Sequence, residues 1–139
     1  MKSITKSAFG LLALGWSLFG QSAQSLILPD VVDGAGWRST IVLTNTTATL
    51  ASASLIFHID TTGGGTQPWT PPFLETSSTT GIGVTGGSSL FLHTPGTAAA
   101  LAQGWAELHA DDGIVAYVIF THSSPGRPDQ DATAPAVAA

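Results

Sequence analysis

Near the end of this 139-residue chain, residues 114 to 120 read IVAYVIF, apolar at every position, between the turn signal Asp112-Gly113 and a polar, Pro-containing end. An unbroken apolar run of this length bounded by turn residues reads as a strand rather than a helix. A strand that is apolar on alternate residues can keep one face in water; one that is apolar throughout has both faces covered. The run therefore demands a packed β core on one side and a second cover on the other. Only SSPGRPDQDATAPAVAA follows His122. Its Pro residues and polarity make it read as a poor packing element, so the second cover is expected to come from another surface.

The rest of the chain agrees with a β architecture. In WRSTIVLTN, Trp37, Ile41 and Leu43 share one face and Arg38, Thr40 and Thr44 the other. In ASASLIFHID, Ala51, Ala53, Leu55, Phe57 and Ile59 alternate with Ser52, Ser54 and His58. Both patterns predict half-buried strands. The intervening TNTTAT, with side chains that bond back to the local backbone, predicts a hairpin loop. Residues 61 to 87 are richer in Gly and Pro and predict a long loop; any strand near Pro68, Pro71 and Pro72 must lie at a sheet edge, because Pro cannot donate to a ladder. TTGIGVT and SSLFLHT predict short strands joined at Gly86-Gly87, and TAAALAQ at most one helical turn. Turn signals at this spacing, with Thr, Ser, Gly and Val prominent, predict an all-β fold: one antiparallel β-sandwich of about seven strands.

The last pair of strands is predicted as a hairpin in which Asp112-Gly113 forms a type I′ turn. That register puts Ala106, Leu108, Tyr117 and Ile119 on the core face. It leaves Trp105, Val118 and Phe120 as an apolar interaction surface for a protein partner or a second copy.

Lys2 and Lys6 precede the 13-residue apolar run AFGLLALGWSLFG, and Ala23-Gln24-Ser25 follows it. This is the layout of a secretory signal peptide, and the run is shorter than the roughly 18 residues of a membrane span. The expected organisation is a signal peptide over residues 1 to 25, a β-sandwich domain over 26 to 124 and a Pro/Ala-rich tail over 125 to 139, in a secreted protein with no membrane attachment after cleavage. The remaining 114 residues suit one domain. They carry Arg38 and Arg127 against nine carboxylates, a formal net charge of −7, and no Cys. Such a chain has too few cations to neutralise a row of phosphates, which excludes nucleic acid as a partner, and it has no thiol chemistry.

Alternation places His58 with Asp60, and Glu107 with His109 and Asp111, on shared strand faces. They would form a zinc site only if those strands were neighbours, and the expected reading is a solvated polar face with no metal and no cofactor. No G-x-S-x-G elbow is present, since GGSSL lacks the closing Gly. No catalytic residue is therefore assigned; a small metal- or Ser-dependent hydrolase is the remaining enzyme reading. Asn45-Thr46-Thr47 matches a glycosylation acceptor. Trp69, in its Pro-rich loop, is the candidate for stacking on a glycan, as in a carbohydrate-binding module.

LPDVVDGAGWRSTIVLTNTT, GWAELHADDGIVAYVIFTH and PGRPDQDA together resemble a secreted bacterial β-sandwich module, immunoglobulin- or fibronectin-like, that recurs in exported proteins. The likeness is most specific at Gly36-Trp37, Gly104-Trp105 and GRPDQ. It implies a sandwich without catalytic residues, in a structural or interaction role outside the cell.

Overall fold

A computed structural model describes residues 22 to 139. It contains ten strands and no helix among them: β1 (Ala23–Gly34), β2 (Trp37–Asn45), β3 (Ala51–Asp60), β4 (Thr66–Trp69), β5 (Ile82–Val84), β6 (Ser89–His93), β7 (Ala102–Asp111), β8 (Ile114–His122), β9 (Gln130–Pro135) and β10 (Val137–Ala138). All pairings are antiparallel. The expected all-β sandwich is the fold, with extra short edge strands bringing the count to ten.

The ladder order is β4-β3-β7-β1-β2-β8-β9, with β5 also on β3, β6 on β2 and β10 on β1. Only two residue pairs, Asp33↔Arg38 and Gly34↔Trp37, join β1 to β2. The sheet folds over at this narrow junction into two layers, one of β4, β5, β3, β7 and β1, the other of β6, β2, β8 and β9. Leu28 and Val31 of β1, Leu55 and Phe57 of β3, and Ala106 and Leu108 of β7 pack against Ile41 and Leu43 of β2 and Ile114, Ala116 and Val118 of β8. These two inner faces are the core.

Three predicted hairpins are instead crossings between layers. The TNTTAT loop leads from β2 to β3, Gly86-Gly87 from β5 to β6, and Asp112-Gly113 from β7 to β8, and in each case the two strands belong to different layers. A type I′ turn needs positive φ at both central residues. At the last crossing only Gly113 has it, at φ 87. The turn is tied to its surroundings instead, through Thr46 N–H donating to the Gly113 carbonyl (2.9 Å) and Asp112 N–H donating to the Ser22 carbonyl (2.9 Å). The tight turn with two positive φ values is Ala35-Gly36 (φ 52 and 83), between β1 and β2.

Both chain ends differ from expectation. Ala23, Gln24 and Ser25, the last residues of the expected leader, pair with Asp111, Ala110 and His109 in the β1–β7 ladder. The Gln24 amide also donates to the carbonyls of Asp111 (3.2 Å) and Ile114 (2.6 Å). The apolar run of the predicted leader lies outside the described residues. At the other end, the segment read as a tail forms β9 along β8 and then β10 along β1, crossing at Ala136, whose N–H donates to the Ala116 carbonyl. It laces the two layers together along one seam. Backbone bonds hold it, so its polar composition is no obstacle.

Candidate functional site

The surface assigned from sequence does not assemble. Val118 is 0% exposed and lies in the core, on the same side of β8 as Ile114 and Ala116. Phe120 follows on that side and packs, partly buried, against the core. Trp105 belongs to the other layer, on its outer face, with its ring stacked on His58 at 4.2 Å. The expectation failed because β7 and β8 do not pair: Ala106 and Leu108 are inward as expected, but Tyr117 and Ile119 turn outward.

The apolar surface demanded by residues 114 to 120 exists on the opposite face of β8. Val115 is 51% exposed there, with Tyr117 and Ile119 partly buried beside it. Across the ladder, Val42 stands between Phe91 and Tyr117. It faces outward, yet it is 1% exposed because larger neighbours flank it on both sides; Phe91 itself is 46% exposed. Thr40 and Thr44 fill the neighbouring positions of β2. The patch therefore carries no carboxylate. At its rim, Glu75 caps the β6 edge by accepting from the His93 N–H (2.8 Å) and pairing with the His93 ring. Burial works to raise the Glu75 carboxyl, but these hydrogen bonds outweigh it and hold the group below its ordinary value.

On the outer face of the first layer, β3 and β7 are indeed neighbours. His58 Nε2 lies 3.0 Å from Glu107 Oε1, His109 Nε2 lies 3.4 Å from Glu107 Oε2, and Ser25 Oγ lies 3.1 Å from His109 Nδ1. Asp60 and Asp111 stand apart from this row; Asp111 accepts from the Ser52 N–H (2.7 Å). No group of three or more His, Asp or Glu among the described residues is arranged to hold a metal ion. The Ser25–His109–Glu107 sequence has the residue types of a nucleophile relay. It lies on an open sheet face, however, where Ser25 and His109 sit opposite one another in a paired ladder. Ladder bonding engages the N–H groups that an oxyanion hole would need.

Trp69, the residue expected to stack on a glycan, has part of its ring committed to the core. It is partly buried against the core, edge-on to Phe57 at 6.2 Å, and caps the β3–β4 end of the sandwich. β4 does run along a sheet edge, with Pro68 opposite His58, as the Pro residues required. Asn45 is 0% exposed and fully engaged: its amide donates to the carbonyls of Thr49 (2.7 Å) and Val84 (2.9 Å), and its oxygen accepts from Thr47. A glycan cannot be attached there in the folded chain.

A feature the sequence reading missed is a cleft of about 330 Å³ lined by Asp30, Val32, Trp37, Leu101, Gln103, Phe120 and Ala132. It lies at the junction of the two layers, where β1 and β7 of one meet β2, β8 and β9 of the other. The β1–β7 ladder shifts register between Leu28 and Val31, and Pro29 and Asp30 occupy the irregularity. Such bulges re-aim side chains. Here the bulge delivers Asp30 to the cleft. Burial pushes the Asp30 carboxyl above its ordinary value; hydrogen bonding with Gln103 and the Val31 backbone pulls the other way, and Asp60 adds to the rise. One face of Trp37 is stacked on His122 at 4.4 Å. Gly96 and Gly36 brace the entry of β2: a Cβ on Gly96 would stand 2.8 Å from the Trp37 carbonyl oxygen, and one on Gly36 2.7 Å from that of Ser123.

No protein-family model and no curated protein matches this chain. Among solved structures, the chain is similar to a Thermotoga maritima protein whose crystal structure is titled Thermotoga maritima 1070. The two share 10% identity, with a TM-score of 0.57 over 86% of this chain and 97% of the other. At that identity the likeness concerns the fold alone.

Proposed function

We propose that this protein is an exported, non-enzymatic β-sandwich module that associates with a second copy of itself through the outer face of β2, β6 and β8. The carrying observation is that β8 is apolar on both sides: Ile114, Ala116 and Val118 fill the core, while Val115, Tyr117 and Ile119, with Phe91, cover Val42 on the outside. Exposed apolar patches of this kind mark interaction sites. The centre of the face, Val42, Phe91, Val115, Tyr117 and Ile119, carries no charge, and the carboxylates at its edge, Glu75 and Asp131, are hydrogen-bonded to His93 and Thr121, so two copies can meet there without unpaired like charges opposing one another. Closed two-fold association requires one self-complementary patch of this sort. Export is supported by the charged-then-apolar layout of residues 2 to 20. The non-enzymatic reading is supported by the open setting of Ser25, His109 and Glu107. It also agrees with the resemblance to secreted sandwich modules.

Sedimentation equilibrium of the purified protein tests this. The expected result is concentration-dependent dimerisation that Phe91→Ser with Val115→Ser abolishes while circular dichroism shows the variant still folded as a β protein, with a thermal midpoint that no longer depends on concentration. A wild type that remains monomeric up to millimolar concentration overturns it.

A further inference from the structure

We propose that the cleft around Asp30 binds an arginine side chain presented by a basic polypeptide. The cleft is distinct from the β2–β6–β8 face: its lining comes from β1, β2, β7, β8, β9 and the residue just before β7. Its volume of about 330 Å³ falls at the lower end of ligand pockets, which run from about 300 to 1,000 Å³, and suits an occupant of side-chain size.

The lining says what kind of occupant. Val32, Leu101, Phe120 and Ala132 are apolar, Trp37 adds an indole, and the polar groups are Asp30 and Gln103. An ionised carboxylate only accepts hydrogen bonds, and a Gln amide that donates to it keeps its own carbonyl as a second acceptor. The ligand must therefore bring donors. None of the ion pairs among the described residues includes Asp30: Arg38 is committed to Asp129 at 3.3 Å, and the other pairs join His to Glu. A half-buried carboxylate without a counter-charge among the described residues, walled by aromatic rings, favours a cation, which gains from both the carboxylate and the ring quadrupole.

Arginine fits better than lysine. Its planar fork of donors matches two acceptors side by side and stacks on aromatic faces, whereas an ammonium is a compact, strongly hydrated point charge. Its aliphatic stem would lie along Leu101 and Phe120 as the head reaches Asp30. The net negative charge of residues 22 to 139, with two Arg against nine carboxylates, steers a basic partner toward the chain.

The test follows the Trp37 indole N–H by NMR, assigned with Trp37→Phe, during titration with the capped peptide Gly-Gly-Arg-Gly-Gly. Matched peptides carry citrulline or lysine in place of arginine, and agmatine serves as a small-molecule guanidinium. The expected result is a saturable shift with the arginine peptide that weakens by about tenfold or more with the citrulline peptide and in Asp30→Asn. Leu101→Ser, at a position 46% exposed and so without consequence for folding, should weaken it as well. Equal binding of the citrulline peptide, or undiminished binding by folded Asp30→Asn, overturns the proposal. Lysine binding as tightly as arginine removes the selectivity for a guanidinium, and agmatine matching the peptide shows that a free small cation, not a polypeptide, is the ligand; either result also overturns it.

Discussion

Truncating Val118 and Val115 in parallel decides which way β8 faces. Val118 is 0% exposed among Leu28, Ile41 and Leu108 in the core, whereas Val115, on the opposite side of the same strand, is 51% exposed. Val118→Ala removes two buried carbons, each worth about 0.8 kcal/mol of transfer free energy. The cavity left behind adds to this, for a total of about 2–3 kcal/mol. With a urea m-value of about 1–3 kcal/mol/M for a domain of this size, the unfolding midpoint should fall by roughly 1–2 M with an unchanged slope. The thermal midpoint should drop by roughly 10 °C. Val115→Ala should stay within about 0.5 kcal/mol of wild type. Had β7 and β8 formed a two-residue hairpin, Val115 would share the core side with Tyr117 and Ile119, and the order of the two costs would reverse. A Val115→Ala variant as damaged as Val118→Ala therefore refutes the layer crossing at Asp112-Gly113.

Gly104 tests the close approach of β3 to β7: a Cβ there would stand 1.9 Å from the His58 carbonyl oxygen and 2.8 Å from the Ile59 Cα. Gly104→Ala should cost about 3 kcal/mol, the upper end of overpacking penalties, because backbone rather than a flexible side chain must move. Gly63→Ala, with nothing within 4 Å, should be neutral within about 0.5 kcal/mol, and equal chemical-denaturation midpoints for the two variants would refute the account. Asp30 has its carboxyl raised by burial, with Asp60 adding to the rise and Gln103 and the Val31 backbone opposing it. Between the ordinary value of 3.8 and the raised one, the folded state binds more protons than the unfolded, so stability from this group is present at acid pH and is lost as pH rises through the folded value. Asp30→Asn should therefore be more stable than wild type at pH 7, with the gap closing below 3.8; a variant less stable at pH 7 contradicts this. Under the proposed export, intact mass of the mature protein should show a start no later than Ala23, because cutting after Ser25 would strip three ladder pairs and both Gln24 bonds. A Leu26 start with an unchanged thermal midpoint would show that those contacts contribute nothing.

By itself the sequence determined that this chain is all-β and where its main strands lie. Alternation is a property of neighbouring residues, and the stretches 37 to 45 and 51 to 60 are strands with the expected faces inward. It also marked the chain reversals, since Gly86-Gly87 and Asp112-Gly113 do sit between strands. Which strand pairs with which was decided only by tertiary structure. Turn residues reverse the chain locally, but whether the next strand returns beside its predecessor or crosses the core depends on which apolar face is there to receive it. Leu108 and Val118 end on facing layers rather than in one ladder, so every face assigned through the presumed hairpin shifted with it. β9 and β10 were hidden for a related reason: edge strands held by backbone bonds need no apolar pattern, and residues 130 to 138 have little. The cleft lay furthest out of reach, because Asp30, Trp37, Gln103 and Phe120 meet only once four strands are in place. One local signal pointed to it. Pro29 stands inside an otherwise strand-like stretch, and a proline there requires an edge or a bulge, because it has no N–H for the ladder.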